Sequence, residues 1–564
     1  MCSIFAVFNS TRPEAETRRM AVEQSNLMIH RGPDSHGIFS CPSGILVHNR
    51  ISIVDVFKGG QPLYSKDRSV VLVANGEIYN HKQIRSDLSH YPFSTESDCE
   101  AILAAYMEDG VSSLQRLRGM FAFAILDLRT DTYFIGRDHM GILSLYYGYD
   151  ASGALYVASE MKALIGVCEQ IEILPPGHYL SNEASVPVRY YERDWQSFDN
   201  VKSWSSNPEM LRNALEEAVE SHMMSDVPIG LLLSGGLDSS LVSSIAVRKY
   251  VAAGGKASDM CSFSIGMKDS PDLAAAREMA TFLGTRHFEH VYSLDEGIDA
   301  IKKTIWHVES YDVTTVRAST PMHMLSRKIR GNGVKVVLTG DGADEAFGGY
   351  LYFHKAPDPR ELHEECLRKL SMMHLYDCMR VNKTLLSWGV EPRVPFLDRI
   401  FLDVAMRINP RDKMCGHGRM EKHILRETFA DYLPPSIGWR QKEQSSDGVG
   451  YGWIDGLKAL AEGAVSDCML ATTKDRFPHN TPTSKEAYFY RQIFDEIFTH
   501  RSAPYCAPGG KTAGNATEAA SAWLGGMLVD DPSGRAVLGI HVNAMTATRR
   551  PSDVVLPICP EILV

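Results

Sequence analysis

The sequence predicts an α/β protein in two parts: stacked antiparallel sheets with helices outside over the first ~190 residues, then a parallel, doubly wound sheet with added helices. Three observations carry this. Short apolar runs separated by turn residues fill 1–190, and apolar runs alternating with helical patterns follow from about 207. A chain of 564 residues is also too long for one hydrophobic core. The predicted domains are 1–195 and 205–505, with a tail over 506–564.

In the first part, SIFAVF, GILVHNRISIVDV, SVVLVANGEIYN, MFAFAILDLRTDTYFIGRD, ILSLYYGYD and ALYVAS read as strands, with Leu128-Arg129-Thr130-Asp131 as a hairpin turn. Helical patterns interrupt near 14–29 and 97–109, the second capped by Ser97 ahead of Asp98 and Glu100. The polar stretch ERDWQSFDNVKSWSSNPE reads as a linker. Asn207 and Pro208 then open a helix whose apolar face carries Met210, Leu211, Ala214, Leu215, Ala218 and Val219. IGLLLSGG is next as a buried strand, then a helix from about Ser239, and MCSFSIGM as a strand. DLAAAREMATFLG is a helix stopped at Gly284, and RHFEHVY is a strand. Helices near 294–308 and 317–330 lead to the strand VKVVLTG, after which 355–500 is mostly helical. The tail after Pro504, with APGGKTAGNATEAASA, is expected to be partly disordered and carries no assigned function.

Composition narrows the function. Hydrophobic residues at 44% and charged residues at 23% are ordinary for a soluble globular chain, and a net charge of −11 advertises no basic face for nucleic acid. No export signal and no ~18-residue apolar run stands in the chain, so no membrane partner is expected. The 11 cysteines are odd in number and widely spaced without a CxxC pair, which predicts neither disulfides nor a zinc site and fits a cytoplasmic protein.

The most informative stretch is LLLSGGLDSS, 231–240. An apolar strand ends in Ser234-Gly235-Gly236, Asp238 stands as a capping residue, and a helix begins. Glycines let backbone N–H groups approach a phosphate, and the helix N-terminus adds partial positive charge. Ser234, Ser239 and Ser240 offer hydroxyls, and Asp238 suits Mg2+ on a pyrophosphate. The loop lacks the lysine of a Walker motif. A second acidic loop, LTGDGADEAFGGY, places Asp341, Asp344 and Glu345 after another strand, a crowding that calls for a cation. Thr314, Thr315 and Arg317, together at the start of a helix in YDVTTVRAST, suit a substrate carboxylate or phosphate, and Lys442 sits in the Gly-flanked polar loop WRQKEQSSDGVGY. At the other end, Met1 precedes a small residue and is a usual substrate for removal. Its loss would give Cys2 a free α-amine able to act as base for its own thiol.

SGGLDSS resembles the PP-loop of the N-type ATP pyrophosphatases. RGPDSHG, HNRISIVD, ANGEIYN, ESDCE and GRDHMG resemble, in order, the glutaminase domain of class II glutamine amidotransferases, which implies an αββα, Ntn-hydrolase-like sandwich. Together with RVPFLD, FGGYLYFHKAP and WRQKEQ, the layout resembles the B-type glutamine-dependent asparagine synthetases over roughly residues 1–500. The resemblance implies Cys2 as nucleophile and Asn75 with Gly76 as oxyanion hole. Arg50, Glu77 and Asp98 would bind the charged groups of glutamine, beside Ile51, Ser52, Ile53 and Val54. Arg31 and Asp34 read more simply as loop-stabilising partners. In the second half it implies ATP bound by Leu233, Ser234, Gly235, Gly236, Asp238, Ser239, Ile265, Thr339 and Gly340, and Mg2+ held by Asp238 and Asp344. Asp341 and Lys442 would serve the activated intermediate. Glutamine, aspartate and ATP are then the small-molecule partners, with a homodimer common in the family. The sequence departs from that pattern at Thr339, where serine is frequent, and at the short Asp341. The alternative is another ATP-dependent amide-forming enzyme on this scaffold with a different carboxylate.

Overall fold

The computed structural model describes residues 2–268, 270–416, 418–443, 445–508 and 516–524. Most of the tail expected to be disordered lies outside these.

Two six-stranded sheets come from the first part. Their strands are β1 (Ser3–Phe8), β2 (Ser35–Cys41), β3 (Gly44–Arg50), β4 (Leu63–Tyr64), β5 (Val70–Ile78), β6 (Gly119–Asp127), β7 (Thr132–Arg137), β8 (Tyr146–Tyr149), β9 (Leu155–Ala158), β10 (Gln170–Ile173), β11 (His178–Ser181) and β12 (Ala184–Arg189). One sheet runs β10-β8-β9-β1-β3-β2 and the other β12-β11-β7-β6-β5-β4, every pairing antiparallel. Side-chain alternation along β1 explains the layering. Ile4, Ala6 and Phe8 pack toward Val71, Val73 and Ala122 of the facing sheet, while Phe5 and Val7 pack with Met20 and Ala21 of the helix Glu14–Asn26. On the far side, Val70, Leu72 and Ala74 pack with Ile102 and Ala105 of the helix Glu100–Asp109. A strand sandwiched on both faces must be largely apolar, as IFAVF is; the one buried polar side chain, Ser3, donates its hydroxyl to the Met28 carbonyl. The hairpin turn between β6 and β7 puts Asp131 at φ 53°.

Ser97 does not cap the second helix. That helix starts at Glu100, and the Asp98 carboxylate instead accepts the Ile78 N–H at 2.7 Å. Asn207 does cap as expected, accepting the Met210 N–H at 3.0 Å, and the helix Pro208–His222 buries Leu211, Ala214, Leu215, Ala218 and Val219. Met210 stays half exposed. The stretch expected as linker is pinned by Trp195, buried with its indole N–H 2.7 Å from Asp403.

The third sheet is parallel, with β13 (Ile229–Leu232), β14 (Cys261–Gly266), β15 (Arg286–Val291), β16 (Val336–Leu338) and β17 (Glu391–Arg393) in the order β15-β14-β13-β16-β17. The chain winds outward through β13, β14 and β15, then returns to start β16 on the other side of β13. The order therefore reverses between β13 and β16, and their carboxyl ends form the crevice where doubly wound folds bind ligands.

Candidate active site

The SGGLDSS loop and the acidic loop both open at this switch point. After β13, Gly235 takes φ 74°, and a side chain there would meet Ala275 and Ala276 at 2.5 Å. Ser234 and Ser239 share a hydroxyl–hydroxyl bond of 2.8 Å, and the Ser239 hydroxyl also receives the Ser234 N–H at 3.2 Å. The next helix begins at Leu237, so Asp238 sits in its first turn instead of capping it. After β16, Thr339 and Gly340 pass beneath that helix; a Cβ on Gly340 would fall 2.5 Å from the Ser239 nitrogen. A cavity of about 1280 Å³ opens here, lined by Leu233, Ile265, Thr314, Asp341, Asp344 and Lys442 among others.

Its electrostatic centre is a pair of carboxylates held by two lysines. Lys422 Nζ lies 2.9 and 2.6 Å from the two Asp238 oxygens and 2.7 Å from Asp344, whose other oxygen is 2.6 Å from Lys442. Burial would push the Asp344 carboxyl up, but Lys422 and Lys442 together hold it well below the ordinary range. Burial also disfavours charge on Lys442, yet Asp344 and Asp238 keep its pKa raised. Gly349 clears the room: a Cβ there would run into Asp344 and meet Lys422 Cε at 2.8 Å. Two hard oxygen donors suit a Mg2+ ion arriving with a nucleotide, whose phosphates and waters complete its shell. Among the described residues no cluster of three or more His, Cys, Asp or Glu is grouped for a metal, so the ligand would have to supply the rest.

Of the other residues expected here, Asp341 pairs with Arg380 at 2.9 Å, on the helix Asp377–Leu386. Arg440 donates to the Gly235 carbonyl at 3.1 Å and to Asp272 at 2.8 Å, drawing the 439–443 stretch over the phosphate loop. Thr314 faces the cavity, its hydroxyl 2.6 Å from Asp312. Arg317 does not line it; its guanidinium pairs with Glu486 at 2.8 and 2.5 Å.

The other cluster surrounds Cys2. The Cys2 backbone nitrogen donates to Asn75 Oδ1 at 2.6 Å, and its sulfur lies 3.9 Å from the Ile51 carbonyl. Asn75 is fully buried, and its side-chain NH2 finds no hydrogen-bond partner among the described residues. An unmet buried donor is costly unless something else receives it. Gly76 takes φ 147°, where a Cβ would collide with the Met120 carbonyl. Burial pushes the Cys2 thiol up, partly offset by Arg50. Asp98 is pushed up to about 6, chiefly by burial. Glu77 is also raised by burial and by nearby Glu391, and its carboxylate is 3.2 Å from Arg393 on β17. Arg50 donates to the carbonyls of Val54, Asp55 and Val56 at 3.1, 2.7 and 3.3 Å, bracing the loop that carries Ile51, Ser52 and Ile53.

Arg31 and Asp34 hold the two halves together. Arg31 donates to the Cys2 carbonyl at 3.1 Å, to Glu160 at 3.0 Å and to Asn382 at 3.1 Å. Asp34 accepts the Ser52 N–H at 2.9 Å and Lys335 at 2.7 Å. Cys2, Ile51 and Ile53 form one apolar cluster with Val336, the first residue of β16. That strand ends at Leu338, where the acidic loop begins, so one three-residue strand links the cysteine's surroundings to that loop.

Lys422, Arg380, Arg393 and Arg440 are site residues that the sequence reading does not reach. Lys422 takes φ 58°, which lysine rarely adopts, and nothing in the local sequence announces it.

Comparison with known proteins adds two domain families. A profile described as "Glutamine amidotransferase domain" matches residues 1–192, and one described as "Asparagine synthase" matches 210–361 and 356–525. Asparagine synthetase B [glutamine-hydrolyzing] of Escherichia coli is 55% identical over 96% of this chain and 100% of its own. Asparagine synthetase [glutamine-hydrolyzing] 3 of Arabidopsis thaliana is 49% identical over 96% of each chain. The nodule asparagine synthetase of Pisum sativum is 47% identical over 96% of this chain and 94% of its own.

Proposed function

Because the chain belongs to the glutamine-hydrolysing asparagine synthetase family, we propose how its own residues divide the work. The enzyme takes ammonia from glutamine and uses ATP to join it to aspartate, releasing AMP and pyrophosphate. Two domains divide the chain in this reading, a glutaminase over 1–195 and a synthetase over 205–505.

In the first half, the Cys2 thiol attacks the glutamine side-chain carbonyl once Met1 is removed. The amide C–N bond breaks, ammonia leaves with the thiol proton, and water hydrolyses the remaining thioester to glutamate. The observation that carries this reading is the 2.6 Å contact between the Cys2 nitrogen and Asn75 Oδ1. Removal of Met1 turns that nitrogen into the α-amine, already oriented to serve the thiol as base. The unpartnered Asn75 NH2 and the Gly76 N–H then receive the developing oxyanion, each such donor being worth about 10²–10³ in rate. Arg50 takes the α-carboxylate, with Glu77 and Asp98 taking the α-ammonium, beside Ile51, Ser52, Ile53 and Val54.

In the second half, Leu233, Ile265, Thr339 and Gly340 hold the adenosine, and the Ser234–Ser239 loop holds the phosphates. An aspartate β-carboxylate oxygen attacks the α-phosphorus, the bond to the β-phosphate breaks, and β-aspartyl-AMP forms. Mg2+ held by Asp238 and Asp344 would neutralise the pyrophosphate. Lys442 steadies the phosphate charge, Arg380 holds Asp341 toward the intermediate, and Thr314 helps seat aspartate. Arg317, engaged with Glu486, supports the same helix from behind. Ammonia reaches the acyl carbon along β16 without meeting bulk water, where protonation would remove its lone pair. A cytoplasmic homodimer is part of the same reading.

An amino-acid panel tests the assignment. Aspartate alone should support stoichiometric AMP and pyrophosphate release with ATP; a different carboxylate doing so in its place would move the enzyme to the alternative acceptor class.

A further inference from the structure

Five residues of the tail, Ala516, Thr517, Glu518, Ala519 and Ser521, line the synthetase cavity. They are clipped in place. The Thr517 hydroxyl and N–H bond Glu365 at 2.6 and 3.2 Å. Glu365, fully buried on the helix Pro359–Met372, also receives the Tyr352 hydroxyl at 2.7 Å and Arg368 at 2.7 Å. Ala516, Ala520 and Leu524 are buried, and the Trp523 ring packs 6.1 Å from both Tyr352 and Phe353.

Strand order says which end of the cavity this is. Ile265 on β14 and Leu233 after β13 mark the adenosine side, and the lysine-bridged carboxylates mark the phosphates. The far side, beyond β16, is built by Asp341, Lys369, Asp377 and Arg380. Charges of both signs at that end match a zwitterionic amino acid, whose ammonium needs carboxylates and whose α-carboxylate needs cations. Tail residues complete that end, on the helix that carries Arg368 and Lys369.

We propose that Ala516–Leu524 is a built-in wall of the aspartate end of the synthetase cavity, with Thr517 as the positioning residue that clips it to Glu365. This rests on the assignment of the cavity to the synthetase reaction. The wall seats aspartate and keeps water from the acyl-adenylate, whose hydrolysis would consume ATP without forming asparagine.

The test uses full-length Thr517→Val, Thr517→Ser and Trp523→Ala. For both Thr517→Val, which loses its hydrogen bond to the Glu365 carboxylate, and Trp523→Ala, which loses its ring packing on Tyr352 and Phe353, the KM for aspartate should rise about 10-fold. AMP formed should exceed asparagine formed, while the KM for ATP and glutamine hydrolysis stay within about 2-fold. Thr517→Ser should behave as the parent. Unchanged aspartate KM and AMP-to-asparagine ratio in both loss variants overturns the wall. So does a fall shared equally with glutamine hydrolysis, which marks general destabilisation. Failure of the underlying reading looks different: the parent enzyme itself would not release pyrophosphate with aspartate.

Discussion

Cys2→Ala should lower glutamine-dependent asparagine formation by at least about 10³-fold while ammonia-dependent formation stays within about 2-fold of the parent. Among the described residues the neighbouring thiol offers no substitute for the proposed nucleophile. Cys99, whose sulfur contacts the Gly76 carbonyl at 3.6 Å, is pushed well up by burial and by Asp98 and Glu77, so it offers no thiolate. Alanine is smaller than cysteine and leaves the apolar contacts to Ile51, Ile53 and Val336 nearly intact, so the synthetase half should not register the change. Parallel assays with glutamine and with ammonium salt check this. Equal loss from both nitrogen sources would mean that the two clusters are not separate sites.

The second large effect is at Asp238. Asp238→Asn keeps the side-chain volume but removes the charge that Lys422 grips with two contacts. Pyrophosphate release should fall by at least about 10²-fold with either nitrogen source if, as proposed, Asp238 and Asp344 together would hold Mg2+ against the pyrophosphate charge. Glutamine hydrolysis should persist, since Asp238 takes no part in the cluster around Cys2. Asn is preferred to Ala because it keeps the side-chain volume and an oxygen that can still accept from Lys422, so no cavity opens beneath the loop. Normal pyrophosphate release by the variant would remove the carboxylate pair from the reaction.

Local chemistry is readable in the sequence wherever neighbours along the chain set it. Asn207 ahead of Pro208, Gly284 at a helix end with φ 72°, and the alternation of strand and helix from 229 onward all obey short-range rules. The loop glycines Gly76 and Gly235 are legible for the same reason, as positions where backbone must come close. Charge pairing is not. Lys422 meets Asp238 across 184 residues and Asp344 across 78, and no sequence window spans either. Arg393 sits in a three-residue strand, Glu-Pro-Arg, inside a region whose pattern reads as mostly helical; its proline is tolerated because β17 is an edge strand. Ser97 misleads because a capping pattern says nothing about a competing partner, and the Ile78 N–H draws Asp98 away. The tail looks featureless in sequence since Thr517 and Trp523 gain meaning only from Glu365 and Tyr352, far upstream.

The central claim is that Cys2, at the start of the mature chain, is the glutaminase nucleophile. Mass spectrometry of the purified enzyme after exposure to a glutamine-like diazoketone tests it most directly. The expected result is an N-terminal peptide lacking Met1 and carrying one adduct on Cys2, with glutamine-dependent synthesis lost and ammonia-dependent synthesis kept. An active enzyme that retains Met1, or an adduct on any other residue with Cys2 unmodified, would contradict it.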